Sequence, residues 1–342
     1  MQPIRSPASP HSSGSPRAGG ASSPRREGPL TPRVWVPVST SNTSLPPFTV
    51  ATWNILADGL TSEFSYAEVE VTAWARRGPQ VLEEVVALDA DIFAVQELVR
   101  YESFAELNRS HALLFAPKLH SPALAGGGPG DGVALLVKRA RFDVMDVDVV
   151  YFRGGAGGAL SNQNAIVATL RDRASGRLLV AAATHLKAGA SPAEEAMRVH
   201  QVEQLAARAR AAKLAAEAAG GGAPVPIVIG GDFNCAPGEK PWHSMLTIVP
   251  ELRSAYNLVD RSAGLEAYSG GEPRFTTWKF RGHDTPVEKK VTEDFLFYTD
   301  GALRVASLKK LPNEESCGTY GLPSASFPSD HLPLAAQFAW VE

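Results

Sequence analysis

One pattern recurs along this chain: a short apolar run of strand-like character ends in a carboxylate, an amide or a histidine. A charge at a strand end is costly to desolvate unless it is paired or bound to a cation. If several such ends meet in one cleft they form an oxygen-rich cage, which Mg²⁺ prefers, whereas Zn²⁺ favours clustered His and Cys. Six segments show the pattern: Ala51-Thr52-Trp53-Asn54, Phe93-Ala94-Val95-Gln96-Glu97, Ala183-Thr184-His185, Ile229-Gly230-Gly231-Asp232-Phe233-Asn234, Thr292-Glu293-Asp294 and Pro328-Ser329-Asp330-His331.

Each of these segments also has a purely structural interpretation. Asp-x-Asn after a strand most often forms a turn, because both side chains hydrogen-bond their own backbone. Glu97 is placed to cap a helix predicted from Glu102, Ser329-Asp330-His331 suits a surface turn, and a lone His185 suits a hydrogen-bonded structural role. The order of the segments along the chain, rather than any one of them, favours the functional interpretation.

The apolar runs predict many strands and few helices. One helix is expected to begin near Pro192, with Glu194 and Glu195 close to the positive end of its dipole, and a second to run from Pro79 to Leu88. No period of about 20 to 50 residues recurs, so no repeat module is predicted. We predict one domain over residues 47–342, with two packed sheets and helices outside them. The candidate strands are Phe48–Trp53, Asp91–Val95, Val133–Lys138, Ala165–Arg171, Leu178–Thr184, Pro226–Ile229, Glu293–Tyr298 and Leu332–Phe338.

Residues 1–46 differ in composition from the rest of the chain. They are rich in Ser, Pro, Gly and Arg, with five arginines against one glutamate. Such a segment buries too little apolar surface to offset its ordering entropy, so we predict a disordered tail. Its Arg-rich, acid-poor character is also typical of a transit peptide. The expected location is intracellular: the cytoplasm, or a mitochondrion or plastid if the tail is a targeting segment.

The body that follows is acidic. The whole chain has a net charge of −3 and the tail contributes +4, which leaves −7 for the body. This balance argues against broad, non-specific binding of nucleic acid, so a phosphate substrate would need a metal or a few local cations. Two cysteines cannot build a disulfide framework and fit a reducing compartment. No apolar run approaches the roughly 20 residues of a membrane-spanning helix, so no stable membrane insertion is expected.

Seven short motifs, taken in order, resemble those of the endonuclease/exonuclease/phosphatase superfamily of Mg²⁺-dependent phosphoesterases. Finer segments, such as 53–57, 184–188 and 275–279, resemble its deadenylase-related, nocturnin-like branch. The resemblance implies an α/β fold, a four-layer α/β sandwich in which two packed, mainly antiparallel sheets are flanked by helices. The motifs are Thr-Trp-Asn (52–54), Gln-Glu (96–97), Gly-Asp-Gly (130–132), Thr-His-Leu-Lys (184–187), Gly-Asp-Phe-Asn (231–234), Thr-x-Asp (292–294) and Ser-Asp-His (329–331).

The resemblance also implies a metal site. Glu97 resembles the principal ligand of Mg²⁺, with Mn²⁺ as an alternative ion, and Asn54 lies beside it to position metal-bound water or phosphate. Asp330 is implied as a second ligand of the metal or of its water. These three residues are therefore the candidate metal-binding set.

Catalytic roles follow for five residues of the motifs. Asp232 and Asn234 resemble the pair that orients the attacking water and contacts the scissile phosphate, and an ionised Asp232 is a candidate base. Asp294 resembles the residue that holds His331 in one tautomer, and His331 would donate to a phosphate oxygen as negative charge builds. His185 resembles a phosphate-contacting residue.

Substrate contacts are implied less completely. Lys118 and Lys187 would supply local positive charge, and Trp278 would either stack on a base or belong to the core. Glu293 stands where the superfamily usually has an apolar residue. Gly189 stands where the nocturnin-like branch carries a cation, so Gly189→Arg is expected to improve binding, unless Arg198, Lys279 or Arg281 supplies the missing charge.

Two substrate classes follow from the resemblance. The favoured one is NADP(H), with loss of its 2′-phosphate, and the alternative is a poly(A) or other RNA 3′ end cut to 5′-nucleotides. A non-catalytic scaffold is a remote third, because it has no need to hold so many acids together. Since no leucine-rich repeats occur, no stable place in a deadenylase complex is expected.

Overall fold

The computed structural model describes residues 33–39, 44–99, 101–125, 127, 130–154, 158–257, 271–281, 287–318 and 320–341. Within these ranges the strands are β1 (Trp35–Pro37), β2 (Phe48–Asn54), β3 (Ile92–Leu98), β4 (His111–Pro117), β5 (Gly132–Lys138), β6 (Phe142–Arg153), β7 (Leu160–Asp172), β8 (Leu178–His185), β9 (Ile227–Asp232), β10 (Leu252–Ser254), β11 (Thr277–Arg281), β12 (Val287–Val291), β13 (Asp294–Thr299), β14 (Leu303–Lys309) and β15 (Leu334–Trp340). The α-helices are α1 (Val69–Thr72), α2 (Trp74–Leu88), α3 (Pro192–Ala219), α4 (Lys240–Ile248) and α5 (Glu314–Cys317).

The strands form two large sheets and one hairpin. The first sheet has the order β1-β14-β15-β2-β3-β5-β4, the second has β10-β13-β9-β8-β7-β6, and β11 pairs with β12. Neighbouring strands are antiparallel except for β2 with β3 and β8 with β9. The two parallel pairs matter most for the site, because each sends two carboxyl ends to the same edge of its sheet.

Three hydrophobic clusters make the fold a four-layer α/β sandwich, as expected. The first fills the space between the two sheets with side chains such as Phe48 and Leu135 from one and Leu179 from the other. A second cluster packs the outer face of the second sheet against α3 and α4, and a third packs the first sheet against α2. No helix in the described ranges is long and apolar enough to cross a membrane.

All eight candidate strands occur, as β2, β3, β5, β7, β8, β9, β13 and β15. The helix expected near Pro192 is also confirmed, and a capping box between Ser191 and Glu194 fixes its start. The second helix begins at Trp74 rather than Pro79, and the segment expected to be helical from Glu102 is a 3₁₀-helix over Tyr101–Arg109.

The boundary predicted at residue 46 needs a correction. β1 lies within the segment assigned to the tail, yet it pairs with β14 and extends the first sheet. Arg33 forms an ion pair with Glu84 and donates to the Pro333 carbonyl at 2.8 Å, and Trp35 lies 5.0 Å from the Lys309 ammonium. These contacts fix residues 33–39 on the first sheet, while residues 1–32 and 40–43 of the predicted tail lie outside the described ranges.

Candidate active site

The predicted site assembles where the two sheets meet at one edge. Asn54 ends β2 and Glu97 lies near the end of the neighbouring parallel strand β3. His185 ends β8 and Asp232 ends the parallel β9. Because the sheets pack face to face, Glu97 from one sheet and His185 and Asp232 from the other line one cleft, and the buried Asn54 is hydrogen-bonded to Asp232. Asp294 joins them from β13, where it pairs in register with Asp232.

Asn54 connects the two sheets at the bottom of the cleft. Its Nδ2 donates to Glu97 Oε1 and to Asp232 Oδ2, both at 3.0 Å, and its Oδ1 accepts from the Leu56 amide at 3.1 Å. All three side chains are buried, with Glu97 8% exposed. The Asn54 amide thus holds two carboxylates, one from each sheet, next to each other.

Two side chains of the site, those of Glu97 and Asn234, are carried by strained backbone. Glu97 has φ +58° and Asn234 has φ +48°, values that cost an L-residue about 1 kcal/mol or more. Each is held by a local hydrogen bond: the Ala57 amide donates to Glu97 Oε2 at 2.8 Å, and the Asn234 amide donates to Asp232 Oδ1 at 2.9 Å. Strain of this kind clusters at functional sites, where the surrounding structure maintains it.

His331 and Asp294 form a hydrogen-bonded pair. His331 Nδ1 lies 2.8 Å from Asp294 Oδ2, which also accepts from Thr276 Oγ1 at 2.6 Å. The indole of Trp53 donates to the His331 carbonyl at 2.8 Å and fixes the backbone. The Nδ1 proton therefore belongs to the Asp294 contact, and His331 Nε2 faces the cleft.

The charges at the centre are set by mutual contact. Burial lowers the pKa of His331, but Asp294, Asp330 and Asp232 outweigh burial and raise it to about 9. Burial raises the pKa of Asp232, but the nearby imidazoles of His331 and His185 draw it down to about 2. Their Nε2 atoms lie 3.7 and 3.6 Å from Asp232 Oδ2. At neutral pH Asp232 is therefore a pure acceptor and His331 a donor.

Asp330 pairs with a buried lysine. Lys279 Nζ lies 2.6 Å from Asp330 Oδ2 and 3.1 Å from His331 Nε2. Burial raises the pKa of Asp330, but Lys279 and His331 lower it to well below its usual range. The role of Asp330 as a metal ligand stays a prediction, because its Oδ2 already forms an ion pair with Lys279.

The cleft has a volume of about 760 Å³ and is lined by several cations. Five of them contact a carboxylate of this chain, as in the pairs Lys118–Asp131 at 2.5 Å and Lys187–Glu194 at 3.5 Å. Arg198 instead donates to the Lys187 and Gly189 carbonyls at 2.9 and 2.6 Å. The lining cations are Lys118, Lys187, Arg198, Lys279, Arg281 and Lys289.

Gly189 has a geometry that only glycine adopts readily. Its φ is +122°, and a Cβ built there would lie 2.0 Å from the carboxylate of Glu194, which belongs to the capping box of α3. The expectation that Gly189→Arg improves binding conflicts with this geometry. Arg198, Lys279 and Arg281, the candidates to supply the missing charge, all line the cleft.

Trp278 does not line the cleft. Its ring packs in a small cluster with Phe275, Leu322 and Phe327, and its Nε1 donates to Glu288 Oε1 at 2.7 Å. The residue is 7% exposed and the Lys290 ammonium lies 4.7 Å from the centroid of its ring, a placement that matches the core alternative.

Arg77 is a residue of the site that the sequence interpretation missed. It is fully buried in α2 and donates to the Ile55 and Leu56 carbonyls, which follow Asn54, and to the Pro328 carbonyl, which precedes Ser329. The guanidinium thus joins the loop after β2 to the loop that carries His331. The helix predicted from the sequence begins only at Pro79, so Arg77 lies outside it, and its one signal is an arginine near an apolar helical stripe.

The donor set fits a divalent metal. Among the described residues, ligand atoms of Asp232, Asp294 and His331 lie within 4.8 Å of one another, and Asp294 Oδ1 is buried without a partner. Glu97 adds a third carboxylate, held on the Asn54 amide beside Asp232. A set dominated by carboxylate oxygens, with no thiolate, suits a hard cation.

Known proteins place this architecture in a family. The model of the "Endonuclease/Exonuclease/phosphatase family" matches residues 51–331. This chain belongs to that family. It is 35% identical to Nocturnin of Homo sapiens, over 87% of this chain and 66% of that protein, and 25% identical to Carbon catabolite repressor protein 4 homolog 3 of Arabidopsis thaliana, over 90% and 79%.

A solved structure agrees with the sequence similarity. The catalytic domain of human Nocturnin, determined with a bound sulfate anion, superposes with a TM-score of 0.69 and 30% identity over 90% of this chain and 98% of that one. The chain is thus a nocturnin-like phosphoesterase, a hydrolase of phosphate esters. Members of this family generally depend on a divalent metal.

Proposed function

We propose that this chain removes the 2′-phosphate of NADP(H) in a Mg²⁺-dependent hydrolysis. The observation that carries the proposal is the compact cleft: about 760 Å³, with six lining cations around the buried centre. That volume lies in the range of roughly 300 to 1,000 Å³ that small-molecule sites occupy. The acidic body around it favours a small, highly charged ligand over a long polyanion.

Glu97 and Asn54, with Asp330 as the further candidate, would hold the metal. When bound, Mg²⁺ would neutralise phosphate charge and make phosphorus more electrophilic. Asn54 holds the Glu97 carboxylate in place, next to Asp232, by donating to both at 3.0 Å. Mn²⁺ is expected to substitute, because it accepts the same oxygen ligands.

The chain's own groups then divide the proton chemistry. Asp232 is ionised and buried, and it accepts the proton of the attacking water, which Asn234 helps to orient. His331 donates from Nε2 to a phosphate oxygen as charge builds, while Asp294 holds its Nδ1 proton. His185 and Lys118, which also line the cleft, would contact the phosphate.

The second candidate is a 3′–5′ exoribonuclease acting on poly(A) or other RNA 3′ ends. Similarity to the plant Carbon catabolite repressor protein 4 homologue favours it, because the motifs resemble a deadenylase-related branch. The same centre would serve both reactions, so the two differ only in what the surrounding cations bind. A non-catalytic scaffold is the weakest candidate, since the buried acids and His331 are arranged in hydrogen-bonding contact.

The test offers both substrates to one preparation. The full chain is incubated with Mg²⁺ and either NADP(H) or oligo(A), and the products are separated by mass, with Asp232→Asn as the inactive control. The proposal expects NAD(H) and phosphate from the wild type and neither from the variant. Rapid shortening of oligo(A), with no phosphate released from millimolar NADP(H), would make the nuclease the better answer.

A further inference from the structure

Glu293 is a buried acid that the proposed chemistry does not use. The residue is 4% exposed and lines the cleft. Its carbonyl accepts from the Phe233 amide at 2.8 Å, which places it beside both Asp232 and Asn234. It immediately precedes Asp294 at the start of β13. A carboxylate has therefore been placed next to the reaction centre, at a position where packing alone would select an apolar side chain.

Only half of this carboxylate is satisfied. Oε1 lies 2.5 Å from Lys289 Nζ, whereas Oε2 is buried and has no hydrogen-bond partner. Burying an acceptor without a donor costs free energy of folding. This cost points to a bound molecule that supplies the donor to Oε2. Lys289 already compensates the charge, so the missing partner is a neutral donor rather than a second cation.

The position of Glu293 selects among neutral donors. A phosphate oxygen would be repelled by the carboxylate, so Oε2 does not bind the scissile group itself. In a nucleotide the donors closest to a phosphate are the hydroxyls of its ribose, while the amino group of the base lies further away. Because Glu293 adjoins Asp232 and Asp294 through the backbone, the nearer donor is the better match.

We infer that Glu293 Oε2 accepts a hydrogen bond from a ribose hydroxyl of the bound nucleotide and so determines which sugar the cleft accepts. The inference deepens the proposed function and rests on it in one respect, namely that the ligand is a nucleotide. It does not depend on which phosphate is cut. Lys289 is the positioning residue of this contact, since it fixes the carboxylate through Oε1.

Binding of a matched nucleotide series tests the inference without turnover. The probes are adenosine 5′-monophosphate, its 2′-deoxy and 3′-deoxy forms and inosine 5′-monophosphate, measured by calorimetry with Mg²⁺ on the full chain. The two deoxy forms distinguish the 2′ from the 3′ hydroxyl. We expect one of them to bind the wild type about tenfold more weakly than the ribonucleotide, as expected for a hydrogen bond to a charged group.

Variants locate the effect at Glu293. Glu293→Leu should bind the ribo and deoxy forms equally, whereas Glu293→Gln, which keeps an acceptor, should retain part of the difference. Glu239→Gln is the matched control, because Glu239 is an exposed acid on the same cleft. It should leave the discrimination intact. If Glu293→Leu fails to fold, the wild-type series and Glu293→Gln still decide the matter.

Each other outcome has a definite meaning. Equal wild-type affinity for the ribo and both deoxy forms overturns the inference, as does discrimination that persists in Glu293→Leu. Loss of affinity only for inosine monophosphate moves the contact to the base and also overturns it. No binding of adenosine monophosphate at millimolar concentration does the same. Discrimination between the ribo and deoxy forms without hydrolysis of NADP(H) or oligo(A) would contradict the proposed function but support the inference about Glu293.

Discussion

The centre of the cleft and its rim are built from the same residue types but in opposite environments. Asp232, Asp294 and His331 are at most 2% exposed and sit on strands or between hydrogen-bonded loops. On the rim, Arg281 pairs with Glu63, and these side chains are 41% and 49% exposed. A contact between charges is strong when buried and weak when solvated. We therefore expect the centre to determine the rate of the reaction and the rim to determine the affinity for the substrate.

The largest expected effect is on turnover and follows from changing Glu97, the proposed ligand of the metal. Glu97→Gln keeps the size of the side chain but removes the charge that a divalent cation needs, so turnover should fall by about a thousandfold. Excess chelator should do the same to the wild type. A readout independent of activity is the melting temperature, which Mg²⁺ should raise in the wild type and not in the variant. Full activity in chelator would contradict the metal assignment.

A smaller loss of kcat is expected when Asp294, the hydrogen-bonding partner of His331, is changed. Asp294→Asn removes the carboxylate that orients the Nδ1 proton of His331 and raises its pKa, so kcat should fall about a hundredfold with little change in KM. Steady-state kinetics measures the split. Thr276→Val removes the hydrogen bond donated to Asp294 and those accepted from the Glu293 and Asp294 amides, but it keeps the Asp294 carboxylate beside His331 and should cost much less in kcat. Equal losses of kcat in the two variants would show that the negative charge of Asp294 is not what His331 requires.

Arg77 tests whether the centre depends on a side chain that never touches the substrate. Arg77→Lys cannot reproduce contacts with four carbonyls and Asp58, so we expect a loss of about 2 kcal/mol in the free energy of unfolding, with a fall in kcat. Denaturant melts and kinetics would report both. Arg76→Lys, at the half-buried neighbouring position, is the control and should change neither.

Gly189 tests whether the rim accepts a new cation. Because φ is +122° and Glu194 occupies the Cβ position, both Gly189→Ala and Gly189→Arg should lose about 1 kcal/mol of stability, and Gly189→Arg should not lower KM below the wild-type value. The alanine variant shares the backbone strain, so the difference between the two isolates the guanidinium. A lower KM in Gly189→Arg, at unchanged melting temperature, would show that the loop remodels.

The smallest effect concerns the exposed rim pair. Glu63→Gln removes the carboxylate that contacts Arg281 and frees the guanidinium for a substrate phosphate, so KM should fall about twofold to fivefold. The gain should shrink at high salt, because exposed charges are screened. In an Arg281→Gln background the same change should have no effect on KM. An unchanged KM in the single variant would remove Arg281 from phosphate binding.

The sequence predicted the interior strands better than the edges. All eight candidate strands lie inside the sheets, where both faces are buried and the apolar run is continuous, as in β8 and β9. It missed β6, whose alternation with Asp143, Asp146 and Asp148 belongs to an exposed edge strand, and β1, a three-residue edge strand inside a polar segment. Neither β6 nor β1 has a continuous apolar run as long as that of β8, so only pairing in the fold reveals them.

The site shows the same division. Side chains at strand ends were predictable, because short motifs place them on the backbone directly, and the structure brings Asn54, Glu97, Asp232 and His331 together. Contacts between distant segments were not predictable. Three such contacts leave no local pattern in the sequence: the ion pair of Lys279 with Asp330, the two loops joined by Arg77, and the half-satisfied carboxylate of Glu293.

One measurement tests the division between centre and rim most directly: kcat and KM for NADP(H), determined side by side for the wild type, His331→Asn and Arg281→Gln. The centre variant should lose kcat by about a hundredfold or more while KM stays near the wild-type value. The rim variant should raise KM about tenfold while kcat is retained. A rim variant that loses kcat at unchanged KM, or a centre variant that changes KM alone, would contradict the account.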